Sequence, residues 1–271
     1  MRVACSTTVR YKQDVESALQ KIRDMGFDAV DLLTIDGWAH IDPAELADRG
    51  EAWFRRLDEL FARFQLYPVA LNIGTRSQLF DRSPQAVEER LREIRAAIGL
   101  MKRFSIPVAV IQPRGKDLSR PYSEVMLDCA STLKEILGIA AEEGVRLALE
   151  LHIDSPFETP EQAEELIARI PDLRLVYDPS HLVMQGIDIR ETGGLMDRSI
   201  HVHLRDAAPG KMQVRLGEGN VDMDWVLSEL KRRNYAGSIS IEYLESDEYD
   251  VEEDVLRLRS VIRQHFPDIK S

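Results

Sequence analysis

The amino-acid sequence predicts an α/β fold, a (β/α)8 TIM barrel, and three observations carry that prediction. Short runs rich in Val, Ile and Leu alternate with longer amphipathic stretches along the whole chain, the pattern of βαβ units around a parallel sheet. Eight such runs can be counted. The length, 271 residues, is close to the roughly 250 typical of such barrels. No Pro/Gly/Ser-rich linker or shift in composition divides the chain, so one domain over residues 1–271 is expected. An open doubly wound sheet is the alternative, and eight regular repeats in succession favour closure.

The elements follow in order. Val3–Ser6 reads as the first strand, and the helix over Asp14–Met25 ends where Gly26 supplies a terminating residue. Ala29–Leu33 is the second strand, followed by a helix over Pro43–Phe64 that opens on a first-turn proline. Pro68–Asn72 and Pro84–Arg103 repeat that arrangement. Val108–Gln112 precedes a helix over Ser123–Glu143, whose Leu-rich stripe is core packing and which Gly144 closes. After the fifth strand, Leu147–Glu150, the segment Thr159-Pro-Glu-Gln162 supplies a cap, a first-turn proline and an acidic opening for a helix over Pro160–Ile170. The sixth strand is Leu173–Tyr177, and the helix after it is weak because Ile187–Met196 contains two glycines. Ile200–Leu204 leads to a helix over Met223–Arg233, capped by Asp222 or Asp224. Ser238–Glu242 is the eighth strand and Glu252–His265 the last helix, again with a Leu-rich core stripe.

Composition narrows the function. Apolar residues are 44% and charged residues 30% with no low-complexity tract, which is globular and not disordered. The formal charge of −12 argues against a nucleic-acid partner, because phosphate binding needs a basic face. The two cysteines, Cys5 and Cys129, make neither a disulfide framework nor a thiolate metal site and fit a reducing compartment. The start lacks the apolar stretch of a secretory signal, and no run approaches the length of a membrane span. The expectation is a cytoplasmic protein with no membrane partner; homo-oligomerisation is left open.

Four strand-like segments each end in a residue that can hold a divalent cation: Glu150, Asp178, His203 and Glu242. Placed at the ends of strands five to eight, they would converge on one side of a barrel mouth, where the catalytic residues of such barrels sit. A lone strand-end carboxylate is usually a cap or an ion-pair partner. Four on adjacent strands point to a site. Three carboxylates and one imidazole form a mostly oxygen set, so one Mn²⁺ is the expected cofactor, with Mg²⁺, Co²⁺ or Zn²⁺ as alternatives.

The ordered motifs Glu150-Leu-His152, Asp178-Pro-Ser-His181, His203-Leu-Arg-Asp206, Gly217-Glu-Gly-Asn-Val-Asp222 with Trp225, and Ile241-Glu242 resemble the sugar phosphate isomerase/epimerase family of xylose isomerase-like TIM barrels. That group spans ketose 3-epimerases, inosose and dehydroshikimate dehydratases, and barrel-type apurinic endonucleases. The resemblance covers nearly the whole chain and is specific for the superfamily, not for the reaction. It implies that Glu150, Asp178, His203 and Glu242 bind one metal and that His181 and Arg215 touch substrate.

Companion residues can be weighed one by one. His152 shares a strand face with Glu150 and binds substrate, orients that carboxylate or stands on the rim without a role. His201 lies one layer below His203 and reads as a packed, hydrogen-bonded support. Trp38, in the loop after strand two, either stacks on a sugar face or packs under its loop. Asn72, Gln112 and Arg114 are polar residues at apolar strand ends that could bind hydroxyls. The glycine-containing stretch 217–222 misses the GxGxxG spacing and reads as a turn that positions Arg215. The loop Glu242-Tyr-Leu-Glu-Ser-Asp-Glu-Tyr-Asp250 is acidic where many barrels bind phosphate, which favours an unphosphorylated sugar or sugar-like ketone.

Two glutamates on opposite sides of a bound ketone suit proton transfer beside a carbonyl, with Glu150 and Glu242 as the catalytic pair. Return of the proton to the opposite face is epimerisation, transfer to the neighbouring carbon is isomerisation, and loss of a β-hydroxyl is dehydration. Epimerase or isomerase is favoured over dehydratase. The endonuclease branch needs further metal ligands, yet this chain has Lys211-Met-Gln213 and Asn72-Ile-Gly74 where they would stand, and His40 has no evident partner. Duplex DNA carrying an abasic site should therefore stay intact in a gel incision assay with Mg²⁺, Mn²⁺ or Zn²⁺; efficient metal-dependent cleavage would reassign the chain.

Overall fold

The computed structural model describes residues 1–270. Eight parallel strands close into a barrel: β1 Val3–Ser6, β2 Ala29–Ile35, β3 Tyr67–Gly74, β4 Ala109–Ile111, β5 Leu147–Glu150, β6 Leu175–Tyr177, β7 Ser199–Leu204 and β8 Ser238–Ile241. Closure is made at Cys5, which stands opposite Val30 of β2 on one side and Ile241 of β8 on the other. A two-residue arm, Ala39–His40, folds back antiparallel on the end of β2. The helices are α1 Val15–Asp24, α2 Pro43–Phe64, α3 Pro84–Phe104, α4 Tyr122–Glu142, α5 Pro160–Arg169, α6 Pro179–Met184, α7 Gly193–Met196, α8 Met223–Arg232 and α9 Val251–His265.

Local chemistry accounts for the boundaries. Asp42 caps α2 by accepting from the N–H groups of Ala44 and Glu45, with Pro43 in the first turn. Thr159 and Gln162 form a reciprocal capping box at α5. β2 and β3 run longer than their apolar cores suggest because they pair to their ends, Ile35 opposite Gly74. There a side chain at position 74 would press its Cβ to 2.8 Å from Ile35. The largest departure from the sequence reading follows β6. Instead of one weak helix over Ile187–Met196, α6 starts at once, and a 3-10 turn, Ile189–Thr192, runs into α7. The reason is Asp178, whose Oδ1 accepts from the N–H and hydroxyl of Ser180 while Pro179 fills the first helical position.

Strand alternation sets what fills the barrel. Ala70, Val110, Ala148 and Val176 form a small aliphatic cluster with Val108. Two residues further along the same strands come Asn72, Gln112, Glu150 and Asp178, which the two-residue period turns to the same interior side. The lower barrel is thus packed with aliphatic side chains and the end nearer the loops is polar. Outside, one continuous core joins strands to helices through residues such as Leu19, Ile22, Leu57, Ile94, Leu133 and Leu258.

The capping box gives a direct check on this account. Thr159→Ala removes one acceptor from the first turn of α5, and such losses cost about 1 kcal/mol. The thermal midpoint should fall by roughly 2–4 °C, and an unchanged midpoint in calorimetry would show that α5 does not depend on its cap.

Candidate active site

Glu150 ends β5, Asp178 follows β6, His203 lies in β7 and Glu242 follows β8. All four are buried, and each offers a donor atom within 4.8 Å of the others. His203 is the hub. Its Nδ1 is 2.6 Å from Glu150 Oε1 and 3.4 Å from Glu242 Oε2. Glu242 reaches this position because its N–H continues the β8 ladder, donating to Leu204 O at 3.0 Å.

Burying three carboxylates together demands positive partners. Arg205, two residues past His203 and itself 4% exposed, donates from Nη1 to Glu242 Oε2 at 2.6 Å and from Nη2 to Asp178 Oδ2 at 3.1 Å. Burial opposes a charge on His203, yet Glu242, Glu150 and Asp31 together raise its imidazole well above the ordinary value. The two glutamates diverge. Burial pushes the Glu242 carboxyl up to about 7 against the pull of His203 and Arg205. For Glu150 burial pushes the same way, but His203 beside it wins and holds the carboxyl below the usual range. A dication in their midst would favour the ionised form of both.

Above these residues opens a pocket of about 300 Å³. Trp38, Gln112, His152 and His181 line it. Trp38 is 40% exposed and its ring centroid lies 5.2 Å from that of Tyr11. Gln112 donates to Glu150 Oε2 at 3.2 Å. The rings of His152 and His181 are 4.1 Å apart, and burial, then His152 and Arg205, depress the His181 imidazole well below its ordinary value. Arg114 also faces the pocket, steadied by Asp36 O at 3.0 Å.

Arg215 does not join them. Its guanidinium pairs with Glu253 at 2.9 Å and lies over the Tyr249 ring, outside the pocket lining. The stretch 217–221 is instead shaped by Asp206, whose carboxylate accepts from the N–H groups of Gly217, Gly219 and Val221. Only glycine fits at 219, since a Cβ would come within 2.1 Å of Asp206 Oδ1. The pocket cation that touches the carboxylates is Arg205, a member of the His203-Leu-Arg-Asp206 motif to which the sequence alone assigned no role. Asn72 is likewise withdrawn from the pocket, donating to Asp31 Oδ1 at 2.6 Å. His40 is held by Thr7 O and Gln13 O. Asp222, not Asp224, caps α8.

With Glu242 itself, Thr8, Ile35, Met212 and Leu244 complete the lining, and these four carried no signal in the sequence. Asp31 did carry one, as a charge in the middle of an apolar strand. The acidic loop after β8 is less repulsive than its composition suggests: Glu245 pairs with Arg10, Asp247 with Lys12, and Glu252 with Arg10 and Lys21. No helix among the described residues is long and apolar enough to cross a membrane.

A family model described as xylose isomerase-like TIM barrel matches residues 19–263. The chain belongs to that family. An inosose isomerase of Halalkalibacterium halodurans is 27% identical over 243 residues, covering 83% of this chain and 81% of that protein. An inosose dehydratase of Lactiplantibacillus plantarum is 29% identical over 175 residues, 52% of this chain and 58% of that protein. Among solved structures, the IOLI protein with a bound zinc atom superposes with a TM-score of 0.76 at 22% identity, covering 98% of this chain and 99% of that one, a likeness of fold.

This xylose isomerase-like barrel has a donor set that fits a divalent ion. Ligands of one ion at about 2.0–2.4 Å stand no more than ~5 Å apart, and the four donors meet that limit. Asp178 keeps Oδ2 turned inward because Oδ1 is spent on its helix. Protein stripped with chelator should therefore take up about one divalent ion per chain by calorimetric titration, and His203→Ala or Asp178→Ala should lose that uptake. Wild-type protein that binds none would show that the four residues serve only each other.

Proposed function

We propose that the chain is a divalent-metal-dependent enzyme that epimerises or isomerises a keto-sugar or cyclic keto-polyol by moving a proton on the carbon beside the carbonyl. One observation carries the reading: Glu150 and Glu242 reach the same imidazole nitrogen from β5 and β8, on either side of His203, beneath one pocket. Inosose isomerases, whose named substrate is a keto-polyol, and a structure of D-allulose 3-epimerase in complex with D-allulose support it.

Glu150, Asp178, His203 and Glu242 would hold the ion, for which Mn²⁺ is the proposed identity. Bound there, it would supply Lewis acidity toward the carbonyl and an adjacent hydroxyl of the substrate. The protein does the rest. One glutamate removes the proton from the carbon and the other returns it, to the opposite face or to the neighbouring carbon. Arg205, held against Glu242 and facing the pocket, fixes that carboxylate and adds a positive charge near the developing enediolate. Gln112 and His152 present polar atoms to hydroxyls, while Ile35, Trp38, Met212 and Leu244 keep the ring in a partly dry site. A pocket of about 300 Å³ suits a single sugar ring.

Dehydration is the second reading, favoured by the close, tilted His152 and His181 rings beside Glu150, which could protonate a departing β-hydroxyl. The inosose dehydratases among the relatives support it.

Incubating the metal-loaded protein with ketoses and inososes in deuterated water separates the outcomes. A true substrate should gain deuterium beside its carbonyl and keep its hydroxyls if the first reading holds, or lose water if the second does. Glu150→Gln and Glu242→Gln, with metal content measured in each, should show at least one variant that holds metal yet exchanges label roughly 10²–10⁴-fold more slowly. Wild-type exchange in both metal-loaded variants would remove the glutamates from the chemistry.

A further inference from the structure

A carboxylate that never reaches the pocket stands behind His203. Asp31 lies in the middle of β2 and is 0% exposed. Its Oδ2 is 3.1 Å from Nε2 of His203 and 3.0 Å from Nε2 of His201, and its Oδ1 accepts from Asn72 at 2.6 Å. β2 and β7 are not neighbours in the sheet, so this contact crosses the barrel interior. We propose that Asp31 is a positioning residue for the metal site: it accepts the Nε2–H of His203 and so leaves Nδ1, the nitrogen facing Glu150 and Glu242, free to ligate. The inference rests on the metal reading proposed above.

A neutral imidazole carries one proton, and only its bare nitrogen can bind a metal. With an ion bound, the His203 nitrogen facing the carboxylates must be the bare one. Nε2 then carries the hydrogen and needs a buried acceptor, and Asp31 provides it. Without that acceptor the ring would favour the other tautomer, giving its hydrogen to Glu150 at 2.6 Å, and both residues would be poorer ligands. Asp31 is itself held from two further positions, Asn72 on β3 and His201 on β7, with Ser240 Oγ 3.0 Å from the same His201 nitrogen. Such carboxylate–histidine–metal chains orient the ring and raise its basicity, and breaking one typically weakens metal binding 10–100-fold.

The test is titration of chelator-stripped protein with Mn²⁺ or Zn²⁺ alone. Asp31→Asn keeps the size and removes the charge; it should bind roughly 10–100-fold more weakly, with an unchanged circular dichroism spectrum. Asn72→Ala takes a donor from Asp31 but leaves its charge and its bond to His203, so it should lose stability while keeping affinity within a few-fold. Nitrogen-15 NMR of Zn²⁺-loaded wild-type protein should find the His203 ring proton on Nε2, a reading that stands even where Asp31→Asn does not fold. Wild-type affinity in Asp31→Asn, a ring proton on Nδ1, or a second ion that disappears with Asp31 would each overturn the proposal. Wild-type protein that binds no ion would sink the metal reading itself, and this proposal with it.

Discussion

Three carboxylates buried within reach of one imidazole are the constraint on which the rest of this structure turns. Glu150, Asp178 and Glu242 would repel one another and lose their hydration if left alone, and in a protein interior that penalty amounts to several kcal/mol per ion. The structure answers with His203 between the glutamates, Arg205 clipped from Glu242 to Asp178, and the α6 N-terminus at Asp178 Oδ1. Each device leaves some carboxylate capacity directed inward.

The barrel makes the cluster cheap to assemble. Residues at the ends of adjacent parallel strands are brought together by the sheet register itself, so no long loop has to be ordered to place them. The same two-residue period that turns Glu150 inward turns Ala148 inward below it, and Asp178 stands above Val176 in the same way. The aliphatic layer keeps water from approaching the site from beneath. Behind His203 lies the network of Asp31, Asn72, His201 and Ser240, whose members reach one another across strands.

What could be read from the chain divides along physical lines. The barrel and the four strand-end residues were legible because periodicity and strand ends are local properties, visible one segment at a time. His201 could be placed behind His203 by counting two residues. Its partner Asp31 lies 170 residues away across the barrel, and nothing local announces that pairing beyond a charge inside an apolar strand. Arg215 and Arg205 show the opposite difficulty. Both sit in the β7–α8 region, but strand direction sends Arg205 into the pocket, whereas Asp206 bends the following loop so that Arg215 meets Glu253. The repulsion assigned to the loop after β8 assumed free acids, and its cations come from the start of the chain, from Arg10, Lys12 and Lys21. The helix expected over Ile187–Met196 was displaced because Asp178 caps α6 as well as joining the buried cluster.

The choice between moving a proton and expelling water rests on what stands beside the developing enediolate. Both reactions begin when a carboxylate takes the proton next to the carbonyl, so the glutamates alone do not distinguish them. Epimerisation needs a second proton carrier on the far face and a hydroxyl that stays in place. Dehydration needs a donor aligned with that hydroxyl as it leaves. A second carboxylate stands ready for that role in the proposed reaction, because Arg205 pins Glu242 in the pocket lining on the β8 side of His203. The donor is less well prepared: burial and the neighbouring Arg205 disfavour a charge on His181, and its Nδ1 is occupied by the N–H of Ile153 at 3.3 Å. His152 is also engaged, through Nδ1 to Ile153 O at 2.6 Å, leaving Nε2 as the atom free to act. On the proposed function, proton return is therefore the favoured outcome, with His152 as the residue on which a dehydrating variant of the same chemistry would depend.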